Sequence, residues 1–205
     1  MRCLVKSLCV SIMFVLVYSV TAQAQGIATG SGEVTANLGF SSVKGTDNGR
    51  HPFFGFSGAY NVAPFAAVGF EYNYHPLGSV SDSGFTGSEH MQLLGPVVRF
   101  SLPQATRVVP YFLVDGGYVS DHASVSGQGV SIGATRSGGY FGLGGGASIY
   151  AGNNWGVRPE FRYDREHFGA TNVQGVSIAS SGQNDVQFSG AIFYQFGGKR
   201  SMKKK

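Results

Sequence analysis

The sequence predicts an all-β fold, an eight-stranded antiparallel up-and-down transmembrane β-barrel that follows a cleaved signal peptide. Three features of the chain predict it. Segments of about ten residues alternate between apolar and polar side chains, aromatic residues cluster near the segment ends, and short connections alternate with long ones along the chain. Alternation with period two is the signature of a strand, whose successive side chains point to opposite faces. After the first 24 residues, no window sustains the 3.6-residue apolar period of a helix.

The first 24 residues have the pattern of a secretory signal peptide. Arg2 and Lys6 flank the start of an apolar run from Leu8 to Val20. This run is shorter than the roughly 20 apolar residues that a membrane-spanning helix needs. It ends at Ala22-Gln23-Ala24, a small-x-small pattern that export peptidases accept. We therefore expect residues 1–24 to be removed by cleavage before Gln25.

Cysteine content and charge then exclude several classes of function. Cys3 and Cys9 both lie in the removable segment, so the mature chain has no thiol for a disulfide, a nucleophile or a metal. We expect one barrel domain over residues 25–198 and a basic periplasmic tail over residues 199–205. The domain contains all 11 acidic residues but only eight of the 15 basic ones, so its charge does not favour nucleic acid as a partner.

Eight segments of the mature chain show the alternation, bounded by clusters of Gly, Ser, Asn, Asp and Pro. They cover approximately Glu33–Ser42, Phe53–Val62, Phe65–His75, His90–Leu102, Tyr111–Ser120, Gly139–Tyr150, Gly156–Phe168 and Asp185–Phe196. In the seventh segment Val157, Phe161 and Tyr163 share one face, whereas Arg158 and Arg162 lie on the other. Each segment therefore has one apolar face and one face that is small, polar or charged.

A soluble sandwich would show the same alternation, with its apolar faces turned inward. The length of the segments favours the membrane barrel, because a tilted membrane strand needs about ten residues and soluble strands average about five or six. Aromatic residues near segment ends also suit the two membrane interfaces. These residues are Tyr60, Phe65, Tyr72, Tyr74, Tyr111, Tyr118, Tyr150, Trp155, Tyr194 and Phe196. The sandwich remains the alternative fold.

The connections alternate in length along the chain. Short links at Ala63-Pro64, Pro103–Val109 and Ala151–Trp155 separate longer polar connections. The longer ones are Val43–Pro52, Pro76–Glu89, Asp121–Gly138 and Gly169–Asn184. Three short and four long connections fit an eight-stranded barrel with both termini in the periplasm and four long loops outside the cell.

Three motifs carry a resemblance to a known family. They are Pro110-Tyr-Phe-Leu-Val-Asp-Gly-Gly-Tyr118, Gly156-Val-Arg-Pro-Glu-Phe-Arg-Tyr-Asp164 and the closing Phe193-Tyr-Gln-Phe196. In this order and spacing they resemble the OmpA-type and opacity-protein-like outer-membrane β-barrels over most of the mature chain. The resemblance implies an outer-membrane location, contact with lipid and lipopolysaccharide, and assembly by the barrel assembly machinery. In the family that machinery reads a terminal aromatic residue, whereas nine residues follow Phe196 here.

An apolar outer face would leave the polar face to fill the lumen. The charged residues expected there are Glu71, Arg99, Asp115, Arg158, Glu160, Arg162 and Asp164. Unpaired charges in such an interior would each cost several kcal/mol, and side chains just fill an eight-stranded barrel. We therefore expect an ionic network and no open pore. The alternative is that some of these charges lie at strand ends in water.

No residue is predicted to be catalytic, and no metal or cofactor is predicted. The pair His122 and Ser124 is similar to the His/Ser couple of an eight-stranded lipid A deacylase family, but we expect it to begin a solvated loop. None of the five histidines lies close in sequence to another at ligand spacing. The short repeat at Gln128–Ile132 and Gln174–Ile178 suggests strand extensions above the membrane.

The sequence thus predicts a non-enzymatic protein with a structural or surface-interaction role, adhesin-like, through its four long loops. An extracellular ligand or surface partner would bind those loops. A narrow porin and a lipid A-modifying enzyme remain alternatives. Whether the lumen conducts ions distinguishes the surface-interaction protein from the narrow porin.

Overall fold

The computed structural model describes residues 29–43, 50–82, 84–102, 107–128, 130–173 and 176–197. Ten strands lie within these ranges: β1 Gly32–Val43, β2 His51–Ala63, β3 Ala66–Asp82, β4 Phe85–Ser101, β5 Val108–Gly127, β6 Val130–Tyr150, β7 Trp155–Phe168, β8 Thr171–Val173, β9 Val176–Ile178 and β10 Ser181–Phe196. The predicted signal peptide (1–24) and basic tail (199–205) lie outside the described residues. The described residues contain no helix long and apolar enough to cross a membrane.

Eight of these strands close into one antiparallel barrel in the order β1-β10-β7-β6-β5-β4-β3-β2. The first and last strands form the seam, where Gly32 pairs with Phe196 and Val43 pairs with Asp185. Strands β8 and β9 form a separate two-stranded hairpin in the connection between β7 and β10. The predicted eight-stranded barrel is therefore confirmed, and the alternative of a soluble sandwich is wrong.

Apolar side chains cover the outside of the barrel. Leu38, Phe188 and Ile192 are 66%, 62% and 64% exposed, and the charged residues of the same strands are buried inside. An apolar surface that encircles the molecule would be unstable in water but matches a lipid environment. The apolar positions of the alternation in the sequence thus face lipid, and the charged positions face the lumen.

Aromatic residues form an outward belt at the end of the barrel where β1 begins and β10 ends. Tyr60, Phe65, Trp155, Tyr194 and Phe196 are each about half exposed there, as expected for a membrane interface.

Two aromatic residues predicted for the outer belts lie in the lumen instead. Tyr111 is 5% and Tyr150 is 2% exposed. Both occupy inward positions of the alternation, since Tyr111 shares its face with Asp115, and Tyr150 shares its face with Ser148. Closeness to a segment end was therefore a weaker guide to their placement than the alternation itself.

Four adjacent strands continue beyond the rest of the barrel and form a wall, defined here as Pro76–Asp82, Phe85–Met91, Asp121–Gly127 and Val130–Arg136. The pairing of β3 with β2 ends at Tyr74, and the pairing of β6 with β7 begins at Gly138. Between those limits β3, β4, β5 and β6 go on pairing with one another up to Asp82↔Phe85 and Gly127↔Val130.

The wall corrects two of the four predicted loops. Pro76–Glu89 and Asp121–Gly138 are mostly strand, and each hairpin closes through a two-residue connection. Gly84 takes a φ of 87° in the first turn, a left-handed conformation that glycine adopts readily. Serine, glycine and threonine were mistaken for loop residues because the outward face of the wall lacks the apolar side chains that lipid requires.

The other two long connections are described in part. Residues 44–49 of the first lie outside the described residues. The last contains the β8–β9 hairpin, and Val176–Ile178 of the second short repeat forms β9. Val130–Ile132 of the first repeat extends β6, as the repeat suggested.

Candidate functional site: the charged lumen

Strand β7 supplies the charged centre of the lumen. Its alternation turns Arg158, Glu160, Arg162 and Asp164 inward while Val157, Phe161 and Tyr163 face outward. Strand β6 pairs with this part of β7, and its glycines, which have no side chains, leave room for these long side chains. The strand thus carries two arginines into the interior at different heights.

Arg162 binds three carboxylates. Its Nη1 donates to Glu71 Oε1 at 2.6 Å and to Asp115 Oδ2 at 2.8 Å. Its Nη2 donates to Glu160 Oε1 at 2.6 Å and to Glu71 Oε2 at 3.2 Å. The side chain of Arg162 is only 4% exposed. A planar guanidinium offers several donors in a fixed fork, which is why one arginine can hold acids from β3, β5 and β7 together.

A second cluster lies around Glu33, closer to the end of the barrel where β1 begins and β10 ends. Its Oε1 is 2.8 Å from Arg99 Nη2 and 2.9 Å from Arg158 Nη2. Arg158 also donates from Nε to Ser148 Oγ at 3.1 Å, and its guanidinium lies 4.5 Å from the centre of the Phe193 ring. One carboxylate and two arginines leave this layer with a net positive charge.

Tyr111 connects the two clusters. Its hydroxyl donates to Glu160 Oε2 at 2.7 Å, and the guanidinium groups of Arg99 and Arg158 lie over its ring, 5.8 Å and 5.4 Å from the ring centre. A buried tyrosine hydroxyl normally has such a partner.

On the side of the wall, the lumen holds several buried acids beside an apolar cluster of Leu77, Met91, Leu93, Val119, Tyr140 and Phe168. Gln187 Nε2 donates to Asp164 Oδ2 at 2.6 Å and to Asp185 Oδ2 at 3.0 Å. Gln183 Nε2 donates to Glu166 Oε2 at 2.5 Å. Among the described residues, no cation forms an ion pair with Asp164 or Glu166. Higher still, Arg136 pairs with Asp121 through a bond of 2.5 Å.

Gly142 makes room for two of these acids. A side-chain carbon at this position would collide with the Oδ1 atoms of Asp115 and Asp164, which approach the glycine from neighbouring strands. The glycine-rich segment of β6 therefore accommodates lumen carboxylates.

Free space in this part of the lumen is small. A cavity of about 30 Å³ lies between side chains of Glu71, Arg99, Arg158 and their neighbours. Such a volume has room for about one or two water molecules.

The structure turns all seven residues of the predicted lumen set inward, namely Glu71, Arg99, Asp115, Arg158, Glu160, Arg162 and Asp164. Six of them meet in the two arginine clusters, and Asp164 lies outside both.

Further charged side chains that the sequence did not predict for the lumen are buried or half-buried there, among them Glu33, Asp121, Arg136, Glu166 and Asp185. The alternation of inward and outward positions along each strand was the sequence signal that could have identified them. Asp121 and Arg136 were not predicted to face the lumen because both lie in the predicted loop Asp121–Gly138.

His122 and Ser124 do not form a couple. Both lie on the outer face of β5, where His122 Nδ1 is 2.8 Å from Thr135 Oγ1, and Ser124 Oγ is 2.9 Å from Ser88 Oγ. The nearby acids Asp121 and Glu166 are buried in the lumen on the opposite face, so they do not orient the histidine. The interpretation of this pair as the start of a loop is also wrong, because it lies within a strand.

A family comparison agrees with the fold. The sequence model of the family described as "Outer membrane protein beta-barrel domain" matches residues 10–197. The chain belongs to this family. The resemblance predicted from the three motifs is thus confirmed, and this outer-membrane barrel is located in the cell outer membrane. In such barrels the connections project far from the membrane on the outside of the cell and stay close to it on the periplasmic side, so we assign the end with the projecting wall to the outside of the cell.

Solved structures of outer-membrane proteins share the fold of this family member. Ail, the attachment invasion locus protein of Yersinia pestis, is 16% identical with a TM-score of 0.56, over 82% of this chain and all of that one. Neisserial surface protein A is 14% identical with a TM-score of 0.58, over 82% and 99% of the two chains. Ail has also been solved in complex with the heparin analogue sucrose octasulfate. No curated protein sequence matches this outer-membrane barrel.

Proposed function

We propose that this protein is a non-enzymatic surface-interaction protein whose lumen is closed by ion pairs and whose wall binds a partner outside the cell. The observation that carries the proposal is the reversal of polarity in the wall. Below it, the outward side chains are apolar, whereas the inward ones include the buried charges together with buried apolar clusters. Within it, the outward positions carry serine, threonine and histidine, and the inward positions near the tip carry Phe85, Val125 and Ile132.

These three apolar residues form an exposed patch, called here the tip patch. Phe85, Val125 and Ile132 are 44%, 51% and 39% exposed. Val125 pairs directly with Ile132, and Phe85 pairs with Gly127, two residues further along β5. Apolar residues clustered on a projecting sheet are typical of an interaction site.

The edge of the wall suggests how a partner would bind. Above Tyr74, β3 has no strand partner on its β2 side among the described residues. An open strand edge presents backbone donors and acceptors to which an extended peptide can add as a further strand. We therefore propose that the partner is an extracellular protein, of which one extended segment pairs with this edge while apolar side chains elsewhere on its surface cover the tip patch.

The lumen supports an interaction role over a channel. Arg162 is held by three acids, and Glu33 is held by two arginines, at two successive heights. The cavity of about 30 Å³ beside them is far smaller than a solute path. A narrow porin remains the second candidate, because an eight-stranded barrel could conduct if these pairs were to open.

Replacing Val125 and Ile132 together by serine is expected to weaken binding to an extracellular protein partner about tenfold or more. Each aliphatic side chain contributes about 1.5–3 kcal/mol when it is buried, and 1.4 kcal/mol corresponds to a factor of ten. The measurement is the binding of producing cells to immobilised serum and matrix proteins, relative to cells that lack the protein.

Ser124→Ala with Ser131→Ala is the matched control, because these residues adjoin Val125 and Ile132 in sequence but lie on the outer face. The control should bind as the wild type does, and the gel shift on boiling should show that both variants fold. Equal binding by both double variants, or no binding by the wild type, would contradict the proposed role of the wall.

A further inference from the structure

Two imidazole rings lie side by side on the outer face of the wall. His90 of β4 and His122 of β5 are direct partners in the antiparallel register, and their ring centres are 5.1 Å apart. Both rings are partly exposed. They are 32 positions apart in the sequence, so only the strand register brings them together.

Neighbouring side chains hold both rings in place. His122 Nδ1 is 2.8 Å from Thr135 Oγ1. When Nδ1 donates its hydrogen to Thr135, Nε2 is left with a free lone pair. Tyr74 stacks on the other side of His90, with ring centres 5.3 Å apart. Tyr74, His90 and His122 thus form a row of rings in which the two histidines are neighbours. Their imidazole nitrogens are the atoms available to bind a metal ion.

We propose that His90 and His122 together bind a divalent transition-metal ion such as Cu²⁺ or Zn²⁺ on the outside of the wall. Side chains directly opposite each other on paired strands have Cβ atoms about 4.5–5.5 Å apart, which allows two imidazoles to share one ion. Imidazole nitrogen prefers copper, nickel and zinc over calcium or magnesium. Thr135 orients one ligand through the ring nitrogen that does not bind the metal, an arrangement common in metal sites.

Water would complete the coordination shell. Glu89 and Asp121 adjoin the two histidines in sequence, but alternation turns them toward the inner face of the wall. Among the described residues there is no group of three or more His, Cys, Asp or Glu side chains that could hold a metal. The site is therefore open on the solvent side.

Titration calorimetry with CuCl₂ and with ZnCl₂ tests the proposal on full-length protein in nanodiscs, purified without a histidine tag. The wild type should bind one ion per chain. His90→Ala and His122→Ala should each weaken binding by about tenfold or more, and Thr135→Val should weaken it by about tenfold, the effect usual for a residue that orients a ligand. His167→Ala is the matched control, since His167 is exposed on the outer face of β7, and it should bind as the wild type does.

Electron paramagnetic resonance of the Cu²⁺ complex provides a readout that protein stability does not affect. The wild-type spectrum should show two equivalent nitrogen ligands, and the His122→Ala spectrum should show one or none. Absence of binding by the wild type would overturn the proposal. So would unchanged binding by the double variant His90→Ala/His122→Ala, which would place the ion elsewhere.

Discussion

Replacing Arg162 by alanine is expected to lower the free energy of unfolding by about 3–5 kcal/mol, the usual cost of removing one partner from a buried ion pair. The change leaves Glu71, Asp115 and Glu160 in the lumen without the guanidinium that they share. The measurement is urea-induced unfolding in lipid vesicles, followed by the shift in apparent mass that a folded barrel shows on an unboiled gel.

Arg165→Ala is the control for this prediction, because Arg165 lies three residues further along β7 and is exposed on its outer face. It should change stability by less than about 1 kcal/mol, as is usual for surface charges. Combining Arg162→Ala with Glu71→Gln should recover part of the loss, since one of the stranded negative charges is removed. Similar stabilities for the Arg162 and Arg165 variants would mean that the network contributes little.

Replacing Phe161 by arginine is expected to destabilise the barrel by about 2–4 kcal/mol, the cost of placing an arginine near the middle of the bilayer on the lipid face. Phe161 is 53% exposed on β7 and pairs with Gly145 and Phe188 on the neighbouring strands. Its position, between Trp155 at the periplasmic end and Arg165 at the outer end, lies well within the apolar belt. The same unfolding assay measures the loss.

Phe161→Leu separates the effect of charge from that of ring size. It keeps the lipid face apolar and should lose much less stability than Phe161→Arg. If arginine were tolerated as well as leucine, this face would not be in contact with lipid.

The membrane-embedded part of the fold could be predicted from sequence because its two faces meet different surroundings. In β7 every second residue from Val157 to Tyr163 is compatible with lipid, and the residues between them are polar or charged. Such a contrast fixes both the strand and its orientation. The predicted limits of this segment, Gly156–Phe168, lie within one residue of the strand as the structure has it.

The wall could not be predicted in the same way. Above the membrane the outer face of β5 carries His122, Ser124 and Ser126, which suit water as well as a loop would. Its apolar residues, such as Val125, lie on the opposite face from those in the membrane. The alternation with apolar residues on the outer face therefore stops at the membrane boundary, although the strand itself continues.

Contacts within the lumen depend on register, which one sequence does not reveal. Arg162 and Glu71 are separated by 91 positions, and Arg158 and Glu33 by 125. Parity shows that such residues face inward, but the closure of the barrel decides which of them share a height. The same reason hid the contact between His90 and His122.

Planar-bilayer recording of the purified wild-type protein tests most directly whether the charged lumen is closed. We expect no large, stable single-channel conductance, because ion pairs at two heights and side chains around a cavity of about 30 Å³ fill the interior. Large and stable conductance steps, reproducible in independently folded samples, would contradict this account and favour the narrow channel over a closed barrel that acts through its wall.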